Sequence, residues 1–265
     1  MKQSVIIILT ITVLLLVGCA GPGAISTPTA TLLPSPTPAC HQPGTIITDR
    51  VFFPENEENH VINVYLPPCY AQYTDSAYPV LYWTDIYGQF LFDTADRLIG
   101  LGDVPAFIYV MIDIDPNKSY GADAQIVDHV VPYIDSHYRT RADRLHRSIT
   151  GISNRAAIAI RAAFRPPRIF GRVAVLSGGI ADGEQEKFTN WISAMPSDQR
   201  PAVLIDVGDQ DGIIVLAHYL TNLLDKLGFP YTFTHAPGNH NPAYWDSHLA
   251  DYLKWLMPAQ QGESR

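Results

Sequence analysis

The sequence predicts an α/β domain with a mostly parallel central sheet and helices on both faces, and three observations lead there. From about residue 60 onward, short β-branched or aromatic runs alternate with longer helix-like ones. Several of the short runs are apolar at every position, as strands covered from both faces must be. The longer segments repeat their apolar residues every three or four positions, which gives a helix one buried stripe. Alternation of this kind within one unit implies parallel strands joined by crossover helices.

In chain order the strand candidates are VINVYL (61–66), PVLYWT (79–84), AFIYVMID (106–113), RSITGI (147–152), RVAVLSG (172–178), AVLIDVG (202–208) and YTFTHA (231–236). Each is bounded by Gly, Pro, Asp or Asn, the residues that interrupt a ladder. The helix candidates are ADAQIVDHVVPYIDSHY (122–138), NRAAIAIRAAF (154–164), IIVLAHYLTNLLDKLG (213–228) and NPAYWDSHLADYLKWL (241–256). Gly228 closes the third of them as a helix stop. In such sheets ligands bind beyond the carboxyl ends of the strands, so the residues just past those ends are where chemistry is expected.

Ahead of the domain the chain reads Met1-Lys2-Gln3, an apolar run from Val5 to Val17 broken only by Thr10 and Thr12, and then Gly18-Cys19. A positive tip, a short apolar stretch and a small residue before a cut site describe a secretory signal. The run is shorter than the roughly 20 apolar residues of a membrane span. Leu16-Val17-Gly18-Cys19 resembles the lipobox of bacterial lipoproteins, which implies that residues 1–19 are a lipoprotein signal with its lipobox cysteine, Cys19 becoming the lipidated first residue of the mature chain; an ordinary cleaved signal with a chance cysteine is the alternative. Residues 20–39 mix Pro, Ser, Thr and Ala with no charge and no apolar period, the composition of a solvated tether. The folded domain is expected over 40–258, followed by a polar tail over 259–265. A membrane, reached through the lipid, is then one expected partner, with the domain on the extracytoplasmic side.

Two further cysteines, Cys40 and Cys69, lie in a chain expected to be exported, where disulfides persist. A bridge between them would pin the first hairpin's entry to its exit and stabilise by about 3 kcal/mol on the chain-entropy account. Two buried free thiols are the alternative. The formal charge of -8 argues against a nucleic-acid partner, which calls for a basic stripe.

Strand RSITGI runs into Ser153, and Ser153 runs straight into helix NRAAIAIRAAF. A serine at a sharp strand-to-helix turn has its hydroxyl lifted above the sheet edge, with the first amides of the helix aimed at whatever it attacks. The usual signature is G-x-S-x-G; here Gly151-Ile152-Ser153-Asn154-Arg155 keeps the first glycine and replaces the last by Arg155. Past strand AVLIDVG come Asp209 and Asp211, and past YTFTHA comes a loop with His240. Serine, acid, histidine is the chain order of the α/β-hydrolases. Order alone leaves Asp206, Asp209 and Asp211 as acids, with Asp206 otherwise a strand-end turn residue and Asp209 a loop carboxylate. It also leaves His235, within a strand, and His248, on a helix, beside His240.

Longer stretches narrow the choice. LPPCYAQYTDSAYPVLYWTDIYGQFLFD, VDHVVPYIDSHYRTRADRLHRSITGIS, FRPPRIFGRVAVLSGG and PGNHNPAYWDSHLADYLKWL resemble, in order and spacing, the esterase D and enterochelin-esterase-like family over about residues 45–257. The resemblance implies an α/β-hydrolase fold and a serine esterase acting on a small-molecule ester through an acyl-enzyme, with no cofactor and no metal. It makes Ser153 the nucleophile, Asp211 the acid, as the last place of the family's G-x-x-D, and His240 the base. The oxyanion amides would be those of Asn154 and of Gln89, in the loop after PVLYWT. That loop reads Thr84-Asp85-Ile86-Tyr87-Gly88-Gln89, two residues longer before its glycine than the family's turn. Asp85, Tyr87 and Arg155 are candidate pocket residues, with Arg155 expected to face solvent or, alternatively, to reach over the pocket toward Asp85. Two other classes of function stay in view. One is a ligand-binding domain that has lost catalysis; the other is a metal-dependent hydrolase using His235, His240, Asp246 and His248, for which no zinc spacing is present.

Overall fold

The computed structural model describes residues 42–55, 57–84, 91–113 and 121–259. The expected signal segment with Cys19, the expected tether, Cys40, the loop bearing Asp85, Tyr87 and Gln89, and residues 260–265 lie outside the described residues. The strands are β1 (Thr45–Phe53), β2 (Glu58–Leu66), β3 (Val80–Trp83), β4 (Ile108–Ile112), β5 (Arg147–Ile152), β6 (Arg172–Leu176), β7 (Ala202–Gly208) and β8 (Thr232–Ala236). They lie side by side in the order β1-β2-β4-β3-β5-β6-β7-β8. From β4 across to β8 all neighbours run parallel, while β2 is antiparallel to both β1 and β4.

All the expected strands are present, with several ends displaced where ladder bonding and apolar pattern do not stop together. β1 is an addition. Its sequence, TIITDRVFF, is exposed at most positions because it is the sheet edge, so it lacks the buried pattern of its neighbours. Two short helices were also illegible, α1 (Leu91–Leu101) and α5 (Gln185–Ser193), beside α2 (Ala122–Gln125), α3 (Val131–His137), α4 (Asn154–Phe164), α6 (Ile214–Lys226) and α7 (Pro242–Leu256). α2 and α3 are parts of the one helix expected over 122–138, joined by a π-helical turn at Ile126–Val130.

The period-two alternation of the strands divides the core into two layers. Val80, Tyr82, Ile108 and Val110 point into one, under α4 and α6, while Leu81, Trp83, Tyr109 and Met111 point into the other, under α1 and α7. β5 sits near the middle and is buried at every position. Partners for its polar groups come from elsewhere in the fold: Ser148 Oγ donates to the Leu256 carbonyl at 2.7 Å, and Arg147 forms a partly buried ion pair with Asp135 at the foot of the strand. β5 and α4 are thereby fixed as a rigid unit from which Ser153 projects. The described residues belong to one compact unit, Cys40–Arg265. Cys69 is buried and disulfide-bonded, and its partner lies outside the described residues.

Phe164, fully buried at the end of α4, meets the rings of Phe188 and Phe229 at 5.9 and 5.1 Å. Phe164→Ala is expected to destabilise the domain by about 3–5 kcal/mol, read from the shift of the denaturant midpoint at constant slope.

Candidate active site

Ser153 occupies the single residue between β5 and α4, with φ 59° and ψ -130°. Such a backbone costs on the order of 1–3 kcal/mol in a non-glycine residue and persists only where the surroundings enforce it. Its amide donates to the Leu176 carbonyl of β6 at 2.9 Å, and its carbonyl accepts from the Ala156 amide at 3.0 Å. A serine at a helix N-cap ordinarily accepts from the first turn with its side chain. Ser153 makes no such bond, and its hydroxyl is directed at His240 instead.

The turn closes without a glycine at 155 because the close approaches fall elsewhere. A Cβ on Gly151 would sit 2.6 Å from the Arg155 carbonyl oxygen and 2.3 Å from Thr84 Oγ1. One on Gly178 would sit 2.7 Å from both Ala156 Cβ and the Ser153 carbonyl oxygen. What must pass near the sheet at 155 is backbone. The Arg155 side chain stays on the first turn of α4, half-buried rather than solvent-facing as expected. Its suggested contact with Asp85 involves a residue outside the described ones.

His240 lies in the loop between β8 and α7. Its Nε2 is 3.0 Å from Ser153 Oγ, and its Nδ1 is 2.9 and 3.1 Å from the two carboxylate oxygens of Asp211. Asp211 is buried and also accepts the Ile213 amide at 2.9 Å. A carboxylate acts on the imidazole as an acceptor, so the proton belongs on Nδ1 and the Nε2 lone pair faces the serine. The Trp245 ring stands perpendicular to the imidazole at 5.1 Å and is held in turn by Nε1–H donation to Ser177 Oγ at 2.8 Å.

The competing residues are brought elsewhere. His235 Nδ1 pairs with Asp209 at 2.6 Å on the exposed side of β8. His248 Nδ1 bonds the Tyr244 carbonyl at 2.8 Å. Asp206 is not a turn residue: it lies within β7 with its carboxylate buried, accepting from the hydroxyls of Thr234, Tyr244 and Tyr252. The four side chains of the metal arrangement are not grouped, and no cluster of three or more metal-ligating side chains occurs among the described residues.

Sequence reasoning missed Thr84. It is fully buried at the end of β3, with its hydroxyl 3.0 Å from the Arg155 carbonyl and 3.2 Å from the Thr150 carbonyl. It thus ties the start of the loop that was expected to supply an oxyanion amide to the helix turn that carries Asn154. Its position as the last residue of an apolar strand, facing the elbow, was the available signal. Beside the elbow, a narrow cleft, partly open to solvent, is lined by Trp83, Leu91, Ile152, Trp245, Leu249 and Tyr252, with Asp246 as its one charged lining residue.

Residues 55–256 match the family model described as "Putative esterase". The chain belongs to this esterase family. Among curated proteins it is 28% identical over 149 residues to an endo-1,4-beta-xylanase/feruloyl esterase of Xylanibacter ruminicola, a match covering 47% of this chain. The chain spans only about a fifth of that relative's length. Among solved structures a ferulic acid esterase superposes with TM-score 0.71 at 22% identity, covering 82% of this chain and 98% of the other. An S-formylglutathione hydrolase of Staphylococcus aureus superposes with TM-score 0.64 at 16% identity, covering 82% and 97%. These likenesses establish the α/β-hydrolase fold for this member of the family.

Gly151→Ala should force Thr84 and the first turn of α4 apart, costing roughly 1–3 kcal/mol of stability. In the same variant, labelling of Ser153 by a fluorophosphonate should slow by more than tenfold, as small displacements at a reacting centre do. Arg155→Ala, which leaves the tight backbone contacts intact, should keep labelling within a few-fold of the parent chain.

Proposed function

We propose that the protein is a serine esterase in which Ser153, His240 and Asp211 act as a catalytic triad. The observation that carries this reading is His240 bridging the Ser153 hydroxyl and the buried Asp211 carboxylate. His240 Nε2 takes the Ser153 proton as Oγ attacks the ester carbonyl, and Asp211 stabilises the imidazolium that forms. The tetrahedral oxyanion faces the N-terminus of α4, where the Asn154 amide is one donor and Gln89, in the loop after β3, is the expected second. His240 then returns its proton to the departing alcohol, leaving an acyl group on Ser153. A water molecule, deprotonated by the same nitrogen, releases the acid and restores the hydroxyl.

The lining of the cleft supports an aromatic or otherwise flat apolar acyl group. Trp83 and Trp245 offer ring surface beside Ile152, the neighbour of the nucleophile. The names of the xylanase/feruloyl esterase and ferulic acid esterase relatives agree with a hydroxycinnamoyl ester as the substrate. A lipid on Cys19 and a tether over 20–39 would hold such an esterase on the outer side of the cell membrane. Cys40 is the partner we assign to Cys69.

A fluorophosphonate probe should label the parent chain on Ser153 and fail to label Ser153→Ala. His240→Ala should lower kcat on methyl ferulate by at least about 10³-fold, as loss of a triad member does. Retained ligand affinity in a parent chain that does not label would instead favour the non-catalytic binding domain. Separately, mass spectrometry of the exported protein should find diacylglycerol on Cys19 and, without reduction, a peptide pair joined through Cys40 and Cys69. Alkylation of Cys69 without prior reduction would refute the pairing.

A further inference from the structure

The buried carboxylate of Asp206 has no part in the steps above. It lies two residues before Gly208, where β7 ends and the turn carrying Asp211 begins. Oδ1 accepts from Thr234 Oγ1 of β8 at 2.6 Å, and Oδ2 accepts from Tyr244 and Tyr252 of α7 at 3.0 and 2.5 Å. β8 leads into the His240 loop and α7 leads out of it, so both stems of that loop are tied to one side chain. Because the two oxygens receive donors from opposite stems, an amide in this place would turn its NH₂ toward one of them.

Tyr244 carries the connection onward to His240. Its ring fills the space that a side chain on Gly238 would need, with Cδ2 only 2.3 Å from where that Cβ would stand. Its amide is capped by the Asn241 side chain at 3.2 Å. His240 is thus bracketed by Gly238 and Asn241, both seated against Tyr244. The turn that carries Asp211 also joins the same assembly through its backbone. Asp209 N donates to Ala236 O and Gln210 N to Gly238 O, each at 2.9 Å, and a Cβ on Gly208 would be 2.4 Å from that same Gly238 oxygen.

We propose that Asp206, acting through Tyr244 and Thr234, is a positioning residue that sets the distance and angle between His240 and Asp211. It touches neither substrate nor the reacting atoms. The inference rests on the esterase reading for its kinetic consequences, but the His240–Asp211 geometry it concerns can be read without turnover.

The test uses Tyr244→Phe, which keeps the ring and removes one donor, and Thr234→Val with Thr234→Ser as its conservative partner. The downfield proton resonance of His240 Nδ1–H, assigned by its loss in His240→Ala, reports the bond to Asp211 directly. In Tyr244→Phe and Thr234→Val this resonance should move or broaden, and kcat should fall about tenfold with KM within about twofold, as expected for slight misplacement of a base. Thr234→Ser should restore both. Asp135→Asn, which removes the charge that Arg147 pairs with at the far end of β5, serves as the control for general loss of stability. It should lower Tm while leaving the resonance and kcat unchanged. A parent-like resonance and kcat in Tyr244→Phe and Thr234→Val, with only Tm reduced, would overturn the proposal. A resonance that responds as described in a protein without esterase activity would uphold the positioning role and refute the esterase reading.

Discussion

At the top of β5 the chain reverses through Ser153 in a space that admits almost no side-chain volume. Gly151 lies under the Arg155 carbonyl, and Gly178 lies against both Ala156 and the Ser153 carbonyl. The first turn of α4 can occupy this position only because the strands on either side present glycine or a hydroxyl. The confinement holds Ser153 at φ 59°, a conformation an isolated serine avoids, and thereby directs its hydroxyl out of the helix cap and toward His240. The seating of α4 also determines where the amides of its first turn point relative to the Ser153 hydroxyl.

The rest of the site is arranged around that turn by elements distant in sequence. Asp211 comes from the turn after β7, and His240 from the loop after β8. The two loops are joined to each other by backbone bonds before their side chains meet. Trp245 touches the imidazole with one part of its surface and lines the cleft with another, while its indole N–H is anchored on Ser177. The same ring therefore borders both the cleft and the imidazole of His240. Several polar groups placed inside the domain find partners there: Asp206 three hydroxyls, Ser148 a helix-end carbonyl, Arg147 the Asp135 carboxylate. Such satisfaction is what makes buried polar residues specify one packing rather than weaken it.

The elements that were legible from sequence are those with strong internal periodicity. RSITGI and AVLIDVG appear with the expected ends, and NRAAIAIRAAF is α4 to the residue. β1, α1 and α5 were not legible, for a common physical reason. β1 is an exposed edge strand held chiefly by its pairing with β2, and α1 and α5 are helices with few buried residues. Arg155 misled in a different way: the signature implies that its glycine is needed for close packing, whereas here the contact at that position is made by main chain.

Ser153, Asp211 and His240 could be named from chain order and resemblance, because residue type and placement after a strand are local properties of a sequence. The choice between Asp211 and its neighbours by geometry needed the fold, since only the meeting of two loops shows that Asp209 serves His235 and Asp206 serves the stems. Thr84 and the hydroxyl cage of Asp206 were likewise decided by tertiary structure. Their partners lie between 28 and 71 positions away in the chain, and no periodicity connects residues across such distances. Sequence determined which chemical groups the site contains; packing determined which of them face one another.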